Sequence, residues 1–121
     1  MRSANLLDSF RHAFAGLGHA LRTQRNARIH LLIAVGVVAL GLWLGLSRWE
    51  WVAIVLTIGF VFVAELFNTV VEAVVDLASP EFHPLARAAK DVAAGAVLLA
   101  AIASVVIGLL ILGPHLVGRV F

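Results

Sequence analysis

Apolar positions recur at helical spacing along four stretches of the chain, and what fills the other faces differs from one stretch to the next. In the first, Leu6, Phe10, Phe14, Leu17 and Leu21 are three or four residues apart, a single helical stripe. Asp8, Arg11, His12, His19 and Arg22 fall elsewhere. This predicts an amphipathic surface helix over residues 1–28, either lying in a membrane interface with its stripe in the acyl boundary or packed on a bundle. From Ile29 to Leu46 the polar face disappears, and His30 at the edge is the one ionisable side chain. The stretch is close to the shortest that crosses a ~30 Å hydrocarbon core, and it reads as a first transmembrane span over 29–46. Gly36, Gly41 and Gly45 would let another helix approach closely.

Ser47-Arg48-Trp49-Glu50 predicts a short turn, with Trp43, Trp49 and Trp51 around it as an aromatic belt. A second span follows over 51–78. Ser79-Pro80 ends it, because a proline disfavours helical geometry in the residue before it. Glu81-Phe82-His83 is a connecting loop, and Pro84 suits the first turn of the next helix. That helix begins outside the membrane with Arg87, Lys90 and Asp91 and becomes a third span within 84–113. Ala93, Ala94, Gly95, Ala96, Ala100, Ala101, Ala103 and Ser104 keep it slim. Gly113-Pro114 is expected to stop it.

The second span breaks its own apolar pattern. Glu65, Asn68, Glu72 and Asp76 fall at about 0°, 300°, 340° and 20° around a helix, one stripe roughly 80° wide. Glu65 is about 21 Å along the axis from Trp51, and Glu72 about 10 Å further. The stripe therefore starts inside the far leaflet and emerges at the far interface. Ionisable groups in a span are costly, face protein or a polar cavity, and mark function by default.

Composition and charge sharpen this picture. Of 121 residues, 62% are hydrophobic and 13% charged, against about 25% charged in soluble domains, so this is an integral membrane protein. The chain is read as one domain, 1–121, with so thin a core that association with further copies is expected. With no cysteine, disulfide and iron–sulfur chemistry are excluded. The net charge of +2 comes from basic residues on one side: Arg2, Arg11, Arg22, Arg25, Arg28, Arg87 and Lys90, with Arg48 and Arg119 opposite. This asymmetry predicts a cytoplasmic N-terminus and Glu81 loop, so the polar stripe faces the compartment that holds ATP. The same basic residues read as orientation signals and anionic-lipid contacts in preference to nucleic-acid binding.

Each polar group has a chemical and a structural reading. At the depth of Glu65, desolvation favours the proton-bound carboxyl, which suits general-base work near neutral pH; a buried structural acid is the alternative. Glu72 and Asp76, one turn apart, could hold a partly hydrated Mg²⁺ that also binds phosphate, or could be solvated acids at a helix end. Asn68 could orient a substrate hydroxyl or bond between helices. Lys90 could bind phosphate, and Asp91 could ligate metal or pair with Arg87. The five histidines show no metal-ligand spacing, and no Gly-rich phosphate loop or Walker pattern occurs. Phosphoryl transfer needs neither, since its catalysis is mostly positioning and charge neutralisation.

ELFNTVVEAVVD, the following SPEFHPLARAAKDVAAGAVL and the upstream RTQRNARIHL together resemble the small bacterial integral-membrane lipid kinases, diacylglycerol kinase and undecaprenol kinase. The HPLA loop and the RNARIHL entry look more like the undecaprenol kinase branch. The resemblance implies an all-α membrane protein: an N-terminal amphipathic surface helix and three transmembrane helices, assembled as a homotrimeric bundle in the bacterial inner membrane. It implies sites at subunit interfaces near the cytoplasmic surface, with MgATP as donor and a lipid alcohol, undecaprenol or diacylglycerol, as acceptor. Matched by position, Glu65 is the catalytic base and Asn68 lies beside the lipid hydroxyl. Glu72 is a metal-binding glutamate, Lys90 and Asp91 lie at the nucleotide phosphates, and Glu81, Phe82 and His83 form a loop at the nucleotide. Gln24 stands where the family usually has a second metal-binding glutamate, and a neutral amide binds Mg²⁺ more weakly. His12 stands where some relatives use an aromatic near the nucleotide. A non-enzymatic subunit or ion carrier, with the acids as a conduction path, is the more remote reading.

Overall fold

The computed structural model describes residues 5–121, which form four helices: α1 (Leu6–Thr23), α2 (Arg25–Leu44), α3 (Arg48–Ala78) and α4 (Pro84–Val120). Arg2 and the start of the expected surface helix lie outside the described residues. The other three helices are long and apolar enough to cross a membrane. At ~1.5 Å per residue they run about 30, 46 and 56 Å, so α3 and α4 overshoot the hydrocarbon.

Asn5 caps α1, its Oδ1 accepting from the Asp8 N–H at 2.9 Å. The stripe of Leu6, Phe10, Phe14 and Leu17 is exposed, so the chain does not cover it with its own bundle. α1 ends earlier than the pattern predicts. Gln24 is extended, at φ −112° and ψ 113°, and Arg25 to Arg28 already belong to α2. One cause is Arg28, whose Nη1 donates to the Leu21 and Arg22 carbonyls at 2.9 and 3.0 Å and satisfies the open end of α1.

The expected turn at 47–50 is the start of α3. Ser47 Oγ accepts from the Glu50 N–H and Glu50 Oε1 accepts from the Ser47 N–H, a reciprocal capping box. The glycines of α2 have different roles. Gly45 ends the helix in the left-handed region, φ 74°, and Gly36 has open space around it. Only Gly41 permits close packing: an added Cβ would lie 2.9 Å from both Leu46 Cδ1 and Trp51 Cη2. Gly41→Ala gains helix propensity of up to about 1 kcal/mol, while pushing the half-buried Trp51 ring aside costs about 1–3 kcal/mol. A net loss of thermal stability in detergent is expected, read as a lower unfolding temperature.

α3 and α4 pack as a long antiparallel hairpin, with α2 laid against both. Each helix turns a three-four seam inward. On α2 this is Ala27, His30, Ala34, Val37, Gly41 and Leu44. On α3 it is Ile54, Ile58, Val61, Glu65, Asn68 and Glu72. On α4 it is Lys90, Ala93, Val97, Ala100 and Ser104. Leu44, Leu46 and Ile54 form the apolar core near the Trp49 end.

Gly113-Pro114 does not stop the last helix: α4 continues through Pro114 to Val120. The missing proline N–H costs one backbone bond, and side chains beyond it hold the extension. His115 Nε2 sits 2.9 and 2.8 Å from the two Glu50 carboxylate oxygens, and the Arg119 guanidinium lies 4.6 Å over the Trp43 ring.

Candidate active site

The polar stripe of α3 continues its packing seam. The seam is apolar through Ile54, Ile58 and Val61 and then becomes polar at Glu65. Glu65, 2% exposed, is among the most buried large side chains of the described residues, and Asn68 is 8% exposed. Burial of such groups without partners costs on the order of 1–3 kcal/mol each. Among the described residues, Glu65 Oε1 and Asn68 Oδ1 nonetheless lack a hydrogen bond. Asn68 Nδ2 donates to Glu72 Oε1 at 3.3 Å, which turns the Asn68 carbonyl oxygen away from Glu72. Thr69 bonds back to the Glu65 carbonyl at 3.0 Å and takes no part in the cluster.

Asp76 departs from the other three. It is exposed, and its Oδ1 accepts from Lys90 Nζ across the α3–α4 hairpin. Lys90, on the inward seam of α4, is thereby held beside the emerging end of the stripe. Asp91 pairs with Arg87 at 3.2 Å, the structural alternative raised by the i, i+4 spacing. Glu81, Phe82 and His83 form the exposed link between α3 and α4. His83 also caps α4, its Nδ1 accepting from the Leu85 N–H at 3.1 Å. Gln24 is half-buried at the α1–α2 corner, and His12 is exposed on α1.

His30 is the residue that sequence reasoning passed over. Its Nε2 stands 3.2 Å from Glu65 Oε1, within ion-pair reach but out of line for a hydrogen bond. It also lines a cavity of about 380 Å³ between α2, α3 and α4. The other lining side chains are aliphatic or aromatic except Thr57 and Ser104. Those two hydroxyls are spent on the Ala53 and Ala101 carbonyls of their own helices, at 2.6 and 2.8 Å. The cavity is thus apolar along its length, with His30 as its polar end.

Residues 11–112 match the prokaryotic diacylglycerol kinase family, which spans α1 to most of α4. The chain belongs to this family. It is 48% identical to an undecaprenol kinase from Bacillus subtilis over 89% of its own length and 88% of that relative's. It is 49% identical to a diacylglycerol kinase from Synechocystis over 93% of its own length, but spans 65% of that longer protein. Similarity extends to a diacylglycerol kinase of Escherichia coli, 32% identical over 75% of this chain and 72% of the relative.

As a member of the prokaryotic diacylglycerol kinase family, the chain is a multi-pass membrane lipid kinase with ATP as its co-substrate. Among the described residues no three His, Asp or Glu side chains converge as a resident metal site. At the emerging end of the stripe Glu72 is a half-buried carboxylate with no basic partner among the described residues. One carboxylate fits a Mg²⁺ that arrives on a nucleotide, since that ion keeps its waters and needs only one or two carboxylates beside the phosphates.

Proposed function

We propose that the chain transfers the γ-phosphate of ATP to the hydroxyl of a long-chain lipid alcohol, undecaprenol, to give undecaprenyl phosphate. One observation carries the chemistry: the Glu65 carboxylate is buried one turn from Asn68, whose buried Oδ1 has no hydrogen bond among the described residues. The alcohol O–H donates to Glu65, which takes the proton as the oxygen attacks phosphorus and the bond to ADP breaks, while Asn68 orients the alcohol oxygen through the Nδ2 hydrogen not spent on Glu72. Lys90 offsets charge at the phosphates, and Asp91, Glu81, Phe82, His83 and His12 lie toward the nucleotide. Glu72, with Gln24 as a weaker neutral ligand, would hold Mg²⁺, which neutralises phosphate charge when bound; Asp76 adds a carboxylate if Lys90 releases it. The apolar cavity ending at His30 suits a single hydrocarbon chain.

Undecaprenol is favoured because the similarity to the Bacillus subtilis undecaprenol kinase spans nearly the whole of both proteins. Diacylglycerol is the second reading, supported by the 49% identity to the Synechocystis enzyme. The asymmetry of arginine and lysine supports a site on the cytoplasmic face of the inner membrane. The resemblance to the family supports a homotrimer of single-domain chains, 1–121, and the large apolar side chains exposed along the helices suit contact with lipid or with further copies. The deciding experiment gives purified protein γ-labelled ATP and vesicles holding undecaprenol and diacylglycerol in equal amount. Label is expected chiefly in undecaprenyl phosphate. Label chiefly in phosphatidic acid establishes the second reading.

A further inference from the structure

His30 occupies a position that its helix otherwise gives to small or apolar residues. Ala27, Ala34, Val37, Gly41 and Leu44 complete the inward seam of α2. The corner before it is firmly built, with Ala20 and Ala27 buried and Arg28 bonded to two carbonyls of α1. That corner fixes the rotation of α2 and points His30, one turn beyond Ala27, toward α3. The His30 side chain is 18% exposed, the Glu65 side chain 2%. Among the charged groups of this region, Arg28 is committed to α1, and the α4 residues lining the cavity carry no titratable side chain. Among the described residues, His30 is the basic side chain that comes within ion-pair distance of the Glu65 carboxylate.

We infer that His30 is a positioning residue for Glu65: its Nε2–H donates to Glu65 Oε1 in the working enzyme and holds the second carboxylate oxygen toward the lipid hydroxyl. This rests on the reading of Glu65 as the base. The observed 3.2 Å separation needs only a rotation of the ring or the carboxylate to become a hydrogen bond. A carboxylate held by a donor on one oxygen presents the other in a defined direction, and misplacement of a base by about 1 Å can cost ~100-fold in rate. His30 does not touch the reacting atoms in this scheme. It acts through Glu65, and its effect must vanish when Glu65 can no longer take a proton.

The test is a double-mutant cycle on kcat, measured with labelled ATP and undecaprenol vesicles. His30→Ala is expected to lower kcat about 10- to 100-fold, within the range for a misplaced catalytic group, while KM for ATP and lipid stays within about twofold. In the Glu65→Gln background the same replacement is expected to change the residual rate by less than about twofold, because no base is left to orient. His30→Gln, which keeps an N–H donor, is expected to recover most of the loss. An equal loss in both backgrounds overturns the inference, as does no loss in wild type, or a His30→Gln variant as slow as His30→Ala. Should Glu65→Gln itself retain wild-type activity, the base assignment fails; a slow Glu65→Gln with an additive His30 effect fails this inference alone.

Discussion

Glu65→Gln is expected to lower kcat by about 10²- to 10⁴-fold, the range for loss of a positioned general base, with KM for ATP and lipid little changed. The amide has nearly the volume and shape of the carboxyl but cannot accept the alcohol proton. The stability of the variant separates a working residue from a structural one. Glu65 is 2% exposed and its Oε1 has no hydrogen-bond donor among the described residues, so the fold carries it at a cost. Its polar neighbour on α2, His30, stands 3.2 Å away without forming a hydrogen bond. Replacing the carboxyl should therefore leave the unfolding temperature equal or higher while activity falls. A residue retained for packing would show the opposite: activity reduced only as far as folding is.

Glu72→Gln should be nearly as severe, about 100-fold in kcat/KM for MgATP, comparable to removing one preorganised stabilising group from a transition state. The substitution is clean because the carbonyl of the introduced amide still accepts from Asn68 Nδ2, as Glu72 Oε1 does at 3.3 Å. Only the negative charge is lost. A tenfold rise in free Mg²⁺ should restore part of the activity if Glu72 is a ligand, since weaker binding is offset by concentration. Gln24→Glu, which adds a second carboxylate at the α1–α2 corner, should shift the Mg²⁺ dependence of the otherwise wild-type enzyme to lower concentration. A Glu72→Gln enzyme with an unaltered Mg²⁺ dependence would remove the metal from this account.

The periodic signals in the sequence carried the architecture. The three-four spacing that defines each apolar seam also put Glu65, Asn68 and Glu72 on one face, and all three turn inward in the structure. The fourth member of that stripe did not follow. Asp76 lies past the packed region, where Lys90 of the neighbouring helix captures it, and pairing across a hairpin leaves no mark on local periodicity. His30 read as a border residue because it begins an apolar run. Its position on the same repeat as Ala27, Ala34 and Val37 was the available signal that it faces α3. Gly113-Pro114 misled for the converse reason. A local stop signal was overridden by His115 and Arg119, whose partners Glu50 and Trp43 are distant in the chain. The early end of α1 had a similar source, in the long side chain of Arg28 reaching back over the corner. What local sequence conveyed was which residues share a face; which faces meet was settled by tertiary contacts.

The central claim is that the lipid hydroxyl reaches Glu65 and Asn68 on the inward face of α3, and covalent capture tests it most directly. A polyprenol carrying a photoreactive group beside its hydroxyl would be irradiated with the protein in vesicles, and the adducts mapped by peptide mass spectrometry. The account predicts adducts between Val61 and Glu72 on α3 or at His30 on α2, suppressed by excess undecaprenol. Adducts confined to the outward faces of the helices, or insensitive to that competitor, would contradict it.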